Sequence, residues 1–216
     1  IVTAGPSLSS ARRWVNSTLL PDGRVLATGG ATIDNMGSAD YIGNYTINNA
    51  AEVFDPRTGQ WTVEATGSTV GRMYHSTGLL LADGRVLVAG GGAPGPEYNL
   101  SAELYTPDYL LNGDGTPVTR PTIDAVSATD LTPGQTITLG STSTSGVSRV
   151  TMLKAGAVTH SINMEQRLVE LPILPETEIL RGDILTIAGS QRHIDTAVQA
   201  LGHADRPVES TDLAVV

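Results

Sequence analysis

An eight-residue segment occurs twice in this chain, and that repetition limits the available folds more than any other feature. Leu19-Leu20-Pro21-Asp22-Gly23-Arg24-Val25-Leu26 returns 61 positions later as Leu80-Leu81-Ala82-Asp83-Gly84-Arg85-Val86-Leu87. At the same offset Gly29-Gly30 returns as Gly90-Gly91. A second element, Ala51-Glu52-Val53-Phe54-Asp55-Pro56, returns after 51 positions as Ala102-Glu103-Leu104-Tyr105-Thr106-Pro107. Such self-similarity marks a supersecondary unit that buries its apolar face against a copy of itself. The ten-residue difference between the offsets falls in the polar stretch 31–50, which reads as a loop insertion in the first copy.

Each copy reads as short strands joined by tight turns. Ser17–Leu20 and Thr77–Leu81 are apolar runs, and Asp-Gly suits the positive backbone angles of a two-residue hairpin loop. Arg24–Thr28 and Arg85–Ala89 are the return strands. The Glu-Val-Phe-Asp-Pro element makes a third, and Gln60–Val63 a fourth. Four short strands with a double glycine and a tryptophan make up one β-propeller blade. Two hairpins of a sandwich carry the same pattern, but the ordered recurrence favours blades of kelch type over residues 1–119. With 24 glycines and 12 prolines in 216 residues, turns are plentiful and long helices disfavoured.

From residue 120 the texture changes. Gln135–Leu139, Val147–Leu153 and Ala157–Ile162 alternate as half-exposed strands, the last continuing the one before it. Residues 120–171 therefore read as part of an immunoglobulin-like sandwich. From 172 to 216 a strand at Ile184–Gly189 precedes a helix over 191–201, with Ser190 as N-cap and Gly202 as C-cap. The fold class expected is mainly β: two propeller blades, part of a sandwich, and a small α/β tail.

Net charge is −9, from 13 basic and 22 acidic residues, so no basic surface is available for nucleic acid. No apolar run reaches the ~20 residues of a membrane-spanning helix. The chain starts without a signal-peptide pattern, so any such segment was removed or never present. Cysteine is absent, which excludes disulfides, thiolate metal sites and cysteine nucleophiles.

Four histidines are present, at 75, 160, 193 and 203. Copper(II) suits imidazole and oxygen ligands, and Tyr74-His75 with His160 could supply them. A separation of 85 positions does not by itself distinguish ligands from packing residues. His193 and His203, at the ends of the expected helix, read as surface residues. Asp22 and Asp83 are explained as turn residues. The Gly90-Gly91-Gly92 run lacks the helix and Lys-Ser/Thr of a phosphate loop. Asn16, Asn44 and Asn99 open glycosylation sequons, a weak sign of secretion.

Arg72-Met73-Tyr74-His75-Ser76, followed by the Leu79–Leu81 run and Asp83–Gly91, resembles the final propeller repeat of the galactose oxidase and glyoxal oxidase family. Tyr105–Leu110 and Arg120-Pro121 resemble that family's passage into its C-terminal domain. Thr159-His160-Ser161-Ile162-Asn163-Met164-Glu165-Gln166-Arg167 resembles the loop that delivers a copper ligand. The match spans residues 11–171. It implies Tyr74 as an axial, catalytic copper ligand and His75 and His160 as the imidazole ligands. It also implies oxidation of a primary alcohol or aldehyde by O₂, with hydrogen peroxide as co-product. The family's radical cofactor is a second tyrosine cross-linked to cysteine, and this chain has no cysteine.

The tail, with Leu174–Gly189, Gly202, Ala204–Pro207 and Thr211-Asp212, resembles a cytoplasmic regulatory domain of aspartate–alanine exchanger-like transporters. The whole then reads as a chimera. Three functions follow: a piece of a copper-radical oxidase, inactive alone; a non-catalytic β-scaffold or carbohydrate-binding propeller piece; or a ligand-sensing segment of a transporter. The oxidase-like part implies a secreted protein. Two blades leave open edges, so self-association or an N-terminal propeller fragment is expected as partner.

Overall fold

The computed structural model describes residues 1–32, 46–92, 98–132, 135–142, 147–173, 184–187 and 213–214. The expected helix over 191–201 with its caps, His193, His203 and the sequon at Asn44 lie outside those residues. The chain divides into two compact units. One is Ile1–Pro107 with Ala155–Gln166, and the other is Asp108–Lys154 with Arg167–Val216.

In the first unit β1 (Asn16–Leu19), β2 (Val25–Thr28), β3 (Glu52–Asp55) and β4 (Gln60–Val63) form one antiparallel sheet in that order. β5 (Thr77–Leu80), β6 (Val86–Ala89) and β7 (Ala102–Tyr105) form a second. The repeat is visible in the register, since Leu19 faces Val25 and Leu80 faces Val86. Leu20, Leu26, Val53, Val86 and Val88 are buried. Where four strands per copy were expected, the second copy shows three among the described residues. The chain after Tyr105 runs through buried Pro107 into a 3-10 turn at Asp108–Leu110, with no counterpart of Gln60-Trp61.

The Asp-Gly turns also differ from expectation. Gly23 N–H donates to Leu20 O and Leu20 N–H to Arg24 O, which leaves a three-residue loop. Gly23 alone has a positive φ, 89°, while Asp22 does not. This is the type I turn followed by a left-handed residue. Asp22 is held in it by accepting from the Arg24 backbone N–H and Nε, and Asp83 does the same for Arg85.

Each copy is stapled by a buried arginine. Arg12 pairs with Glu52, both side chains fully buried, and Ser9 donates to the same carboxylate. Arg72 pairs with Glu103 at 2.8 Å, and Thr69 donates to that carboxylate. Arg12 Nη1 also donates to the carbonyls of Gly29 and Ala50, and Arg72 Nη1 to those of Gly90 and Ser101. A planar fork with five donors can serve a carboxylate and two carbonyls together.

Further along the chain come β8 (Ala125–Val126), β9 (Ile137–Gly140) and β10 (Val150–Lys154). β11 (Ala157–Thr159) and β12 (Ile162–Met164) then form a hairpin that belongs to the first unit. The expectation of one continuous strand through 157–162 was therefore wrong, because the chain reverses at His160-Ser161. β13 (Arg167–Leu171), β14 (Ile184–Ile187) and β15 (Leu213–Ala214) complete the order. The second unit has two three-stranded sheets, β14-β9-β8 and β13-β10-β15. Its core gathers around Ile137, Leu139 and Val150. β14 and β15, from the segment read as a tail, thus pair with strands from the segment read as a sandwich.

Candidate functional site

Arg72 anchors the turn that carries the first two candidate ligands. Ser76 N–H donates to Met73 O at 2.8 Å, closing the turn around Tyr74 and His75. Gly92 N–H donates to Tyr74 O at 2.6 Å. The double glycine makes this approach possible, since a Cβ on Gly91 would lie 2.9 Å from Met73 N. In the first copy Arg12 and the left-handed Trp14 are two positions apart, with φ 60° at Trp14. In the second, Arg72 and the left-handed His75 are three apart, with φ 63°. The extra residue brings Tyr74 and His75 together at one turn.

His160 sits with Ser161 at the tip of the β11–β12 hairpin, where Thr159 faces Ile162 across a two-residue loop. Both loop residues have positive φ, 51° and 63°, as in a type I′ turn. Asparagine and glycine are the usual occupants, so His-Ser gives no local turn signal. Left-handed backbone in non-glycine residues costs of order 1–3 kcal/mol each and persists only where the surroundings fix it. This unit has five such residues among those described, Trp14, His75, His160, Ser161 and Glu165, and the rings of the first three pack on Tyr74.

The three expected ligands converge, all within the first unit. Ring centroids of His75 and His160 are 4.7 Å apart, those of Tyr74 and His75 3.9 Å, and those of Tyr74 and His160 5.6 Å. Trp14 also packs on Tyr74, the ring centroids 4.6 Å apart and the planes tilted by 57°. Both imidazoles are exposed, while Tyr74 and Trp14 are half-buried. His160 Nδ1 meets Thr159 Oγ1 at 2.6 Å, which leaves Nε2 as the open nitrogen.

This donor set fits copper(II). Two imidazoles about 90° apart around a metal with ~2.0 Å bonds to nitrogen have centroids roughly 4.5 Å apart. The 4.7 Å separation of His75 and His160 agrees with that. Among the described residues no group of three or more His, Cys, Asp or Glu side chains gathers, and Tyr74, whose ring packs on both imidazoles, carries a phenol oxygen. Imidazole nitrogen with an oxygen donor is a set that copper(II) accepts.

Several residues that build the site were not singled out from the sequence. Ser76 and Ser161 bond to each other, Asn163 Nδ2 donates to Gly78 O, and Gln166 grips β1. One signal for the first two was present: His-Ser occurs twice, at 75-76 and 160-161. Of the sequons, Asn16 is fully buried with Nδ2 donating to Ser76 Oγ, and Asn99 Nδ2 donates to Gly71 O.

Residues 120–198 match the family model "Galactose oxidase-like, Early set domain". The chain is 33% identical over 174 residues to a galactose oxidase of Gibberella zeae, covering 80% of this chain and 24% of that protein. A solved fungal alcohol oxidase of the AA5 family, in complex with copper, superposes with a TM-score of 0.73 at 29% identity, over 88% of this chain and 39% of that one. The chain belongs to the galactose oxidase and glyoxal oxidase family. A further member, an aldehyde oxidase of Vitis pseudoreticulata, is 37% identical over 122 residues, 51% of this chain and 22% of that protein. An uncharacterized transporter of Shewanella oneidensis is 33% identical over 76 residues, 32% of this chain and 14% of that protein. The oxidase-family model extends past residue 171, where a separate tail was expected to begin. The chain spans about a quarter of the galactose oxidase it matches. No helix among the described residues is long and apolar enough to cross a membrane.

Proposed function

We propose that this chain is the part of a copper-radical oxidase whose Tyr74 phenol and His75 and His160 imidazoles would hold the copper. The convergence of residues 85 positions apart to a 4.7 Å ring separation carries this reading. Primary alcohols or aldehydes are the substrate class, and peroxide the product of O₂. Tyr74 is half-buried with its ring packed on Trp14 and both imidazoles, and as a phenolate its oxygen would accept a substrate hydroxyl proton. Copper, when bound, supplies a one-electron acceptor. Oxidising an alcohol removes two electrons, so a second acceptor is required. The family provides a tyrosine cross-linked to cysteine, and this chain has no cysteine. The chain alone is therefore inactive.

Self-association or an N-terminal propeller fragment completes the unit. β3 is covered by β4, whereas among the described residues β7 pairs only with β6, and Leu104 on it is 47% exposed. An exposed strand edge of this kind is a template for another chain. The oxidase is placed outside the cell, as the resemblance implies.

The test is to load the chain with copper, record its paramagnetic resonance spectrum, and assay peroxide with galactose and with methylglyoxal. The expected result is a spectrum with nitrogen ligation, abolished in a His75→Ala, His160→Ala double variant, and no sustained peroxide. A spectrum unchanged by that double variant refutes the ligand assignment. Sustained copper-dependent peroxide above the double variant refutes the inactivity. A non-catalytic scaffold, the second reading, is favoured by the missing cysteine and predicts no copper-dependent signal at all.

A further inference from the structure

We propose that Ser161 and Ser76 form a positioning pair that holds the His160 imidazole against that of His75; the inference rests on the copper reading for its purpose but not for its geometry. Each serine follows a histidine, and each is buried, Ser76 at 1% exposure and Ser161 at 7%, beside an exposed imidazole. Ser161 N–H donates to Ser76 O at 3.2 Å, and Ser161 Oγ donates to Met73 O at 3.0 Å. The two hydroxyl oxygens are 3.2 Å apart, and Asn16 Nδ2 donates to Ser76 Oγ at 2.7 Å.

Proton counting fixes the direction of this chain of bonds. A serine hydroxyl has one proton. Ser161 gives its proton to Met73 O, so the proton between the serines comes from Ser76. Ser76 in turn accepts from Asn16. The relay runs Asn16 to Ser76 to Ser161 to Met73, and Met73 O also receives Ser76 N–H. Two of its four members, Met73 and Ser76, flank the turn of Tyr74 and His75, Asn16 lies on β1, and Ser161 is at the hairpin tip.

Docking of the hairpin and aiming of its tip are separable. The base is held by Asn163 Nδ2 on Gly78 O and by Gln166, which accepts from Leu19 N–H and donates to Ser17 O. At the two left-handed residues of the tip, Thr159 Oγ1 meets His160 Nδ1 within the hairpin itself, and the bonds that reach the Tyr74–His75 turn are those of Ser161. Strain there persists only while neighbours fix it. Removing the Ser161 hydroxyl therefore leaves the hairpin docked, with the Ser161 N–H bond and the Thr159–His160 contact in place, and lets the tip carry the His160 ring away from that of His75.

The experiment compares the full chain with Ser161→Ala, Ser76→Ala and the double variant. On metal-free protein, the proximity of the His75 and His160 rings is read from imidazole cross-relaxation in NMR, with the Asn163 and Gln166 amide shifts as the docking control. On copper-loaded protein, nitrogen hyperfine structure and copper affinity are read. Each single variant is expected to keep the docking shifts, show no cross-relaxation between the rings and bind copper at least tenfold more weakly, with no further weakening in the double variant. Undiminished ring cross-relaxation in both single variants overturns the proposal, as does additive weakening. If Ser161→Ala unfolds, Ser76→Ala decides, because it removes the hydroxyl bond and leaves the Ser161 bond to Met73. Absence of copper binding in the parent chain, with ring cross-relaxation present there and abolished in the variants, sinks the copper reading and leaves the positioning role standing.

Discussion

Arg72 and Glu103 meet at 2.8 Å with the arginine fully buried and the glutamate a quarter exposed. The pair ties β7 to the turn that precedes β5, so the residues that carry Tyr74 and His75 are braced from behind. Removing one partner strands the other in a desolvated position. Arg72→Met is expected to lower stability by about 3–5 kcal/mol. Arg72→Lys keeps the charge but cannot reach the carboxylate and both carbonyls together, and should cost about 2 kcal/mol. Urea melts monitored by tryptophan fluorescence give both values, and a neutral result for either would remove the brace.

The same pair sets a pH dependence. Burial raises the Glu103 pKa, but hydrogen bonds from Thr69 and Arg72 outweigh it, and the carboxyl lies below its ordinary value of 4.5. A lowered folded-state pKa means stability that is fully present above the unfolded value and lost as pH falls through the folded one. Stability is expected to be flat from pH 7 to about 5 and to fall below that, with a shallower fall in Glu103→Gln. Asp114 and Asp124, lowered by Thr116 and by Thr142 respectively, add in the same direction in both proteins. Equal slopes for the two proteins would exclude Glu103 as a contributor.

Gly29 and Gly59 separate two kinds of glycine requirement. Both have positive φ, 71° and 68°. A Cβ on Gly29 would lie 2.3 Å from Arg72 O, whereas one on Gly59 meets nothing within 4 Å. Gly59→Ala should cost about 1–2 kcal/mol, the left-handed penalty alone. Gly29→Ala should cost roughly 3–5 kcal/mol, because backbone must also move. Equal costs in denaturant melts would mean that the close approach relaxes freely.

His160→Asn separates stability from metal binding. Asparagine tolerates the left-handed conformation that His160 holds at φ 51°, and the position is exposed. The melting free energy should stay within about 0.5 kcal/mol while copper affinity falls. A large drop in stability would show that the imidazole is a packing residue.

Asn16 should carry no glycan. Its side chain is fully buried and bonded to Ser76 Oγ. Peptide mass spectrometry of the chain made in a secretory host is expected to find Asn16 unmodified, and occupancy there would contradict this packing.

Local chemistry was enough to place the strands of the repeat, because alternation, the Asp-Gly turn and the double glycine act over a few residues. The resemblance of separate motifs to the oxidase family, rather than local chemistry, singled out Tyr74, His75 and His160 as expected ligands. Local chemistry did not decide where the chain reverses near His160. A His-Ser pair has no preference for two consecutive left-handed residues, and that turn exists because Met73 and Ser76 bind it from 85 positions or more away, Ser76 being bonded in turn by Asn16. The arginine staples were hidden for a related reason. Ser9, Arg12 and Glu52, or Thr69, Arg72 and Glu103, acquire meaning only when strand pairing removes them from water, since a charge that is solvated in the unfolded chain needs its partner only once buried. Sequence thus determined which imidazoles the chain carries, while tertiary hydrogen bonds decided that those of His75 and His160 stand 4.7 Å apart.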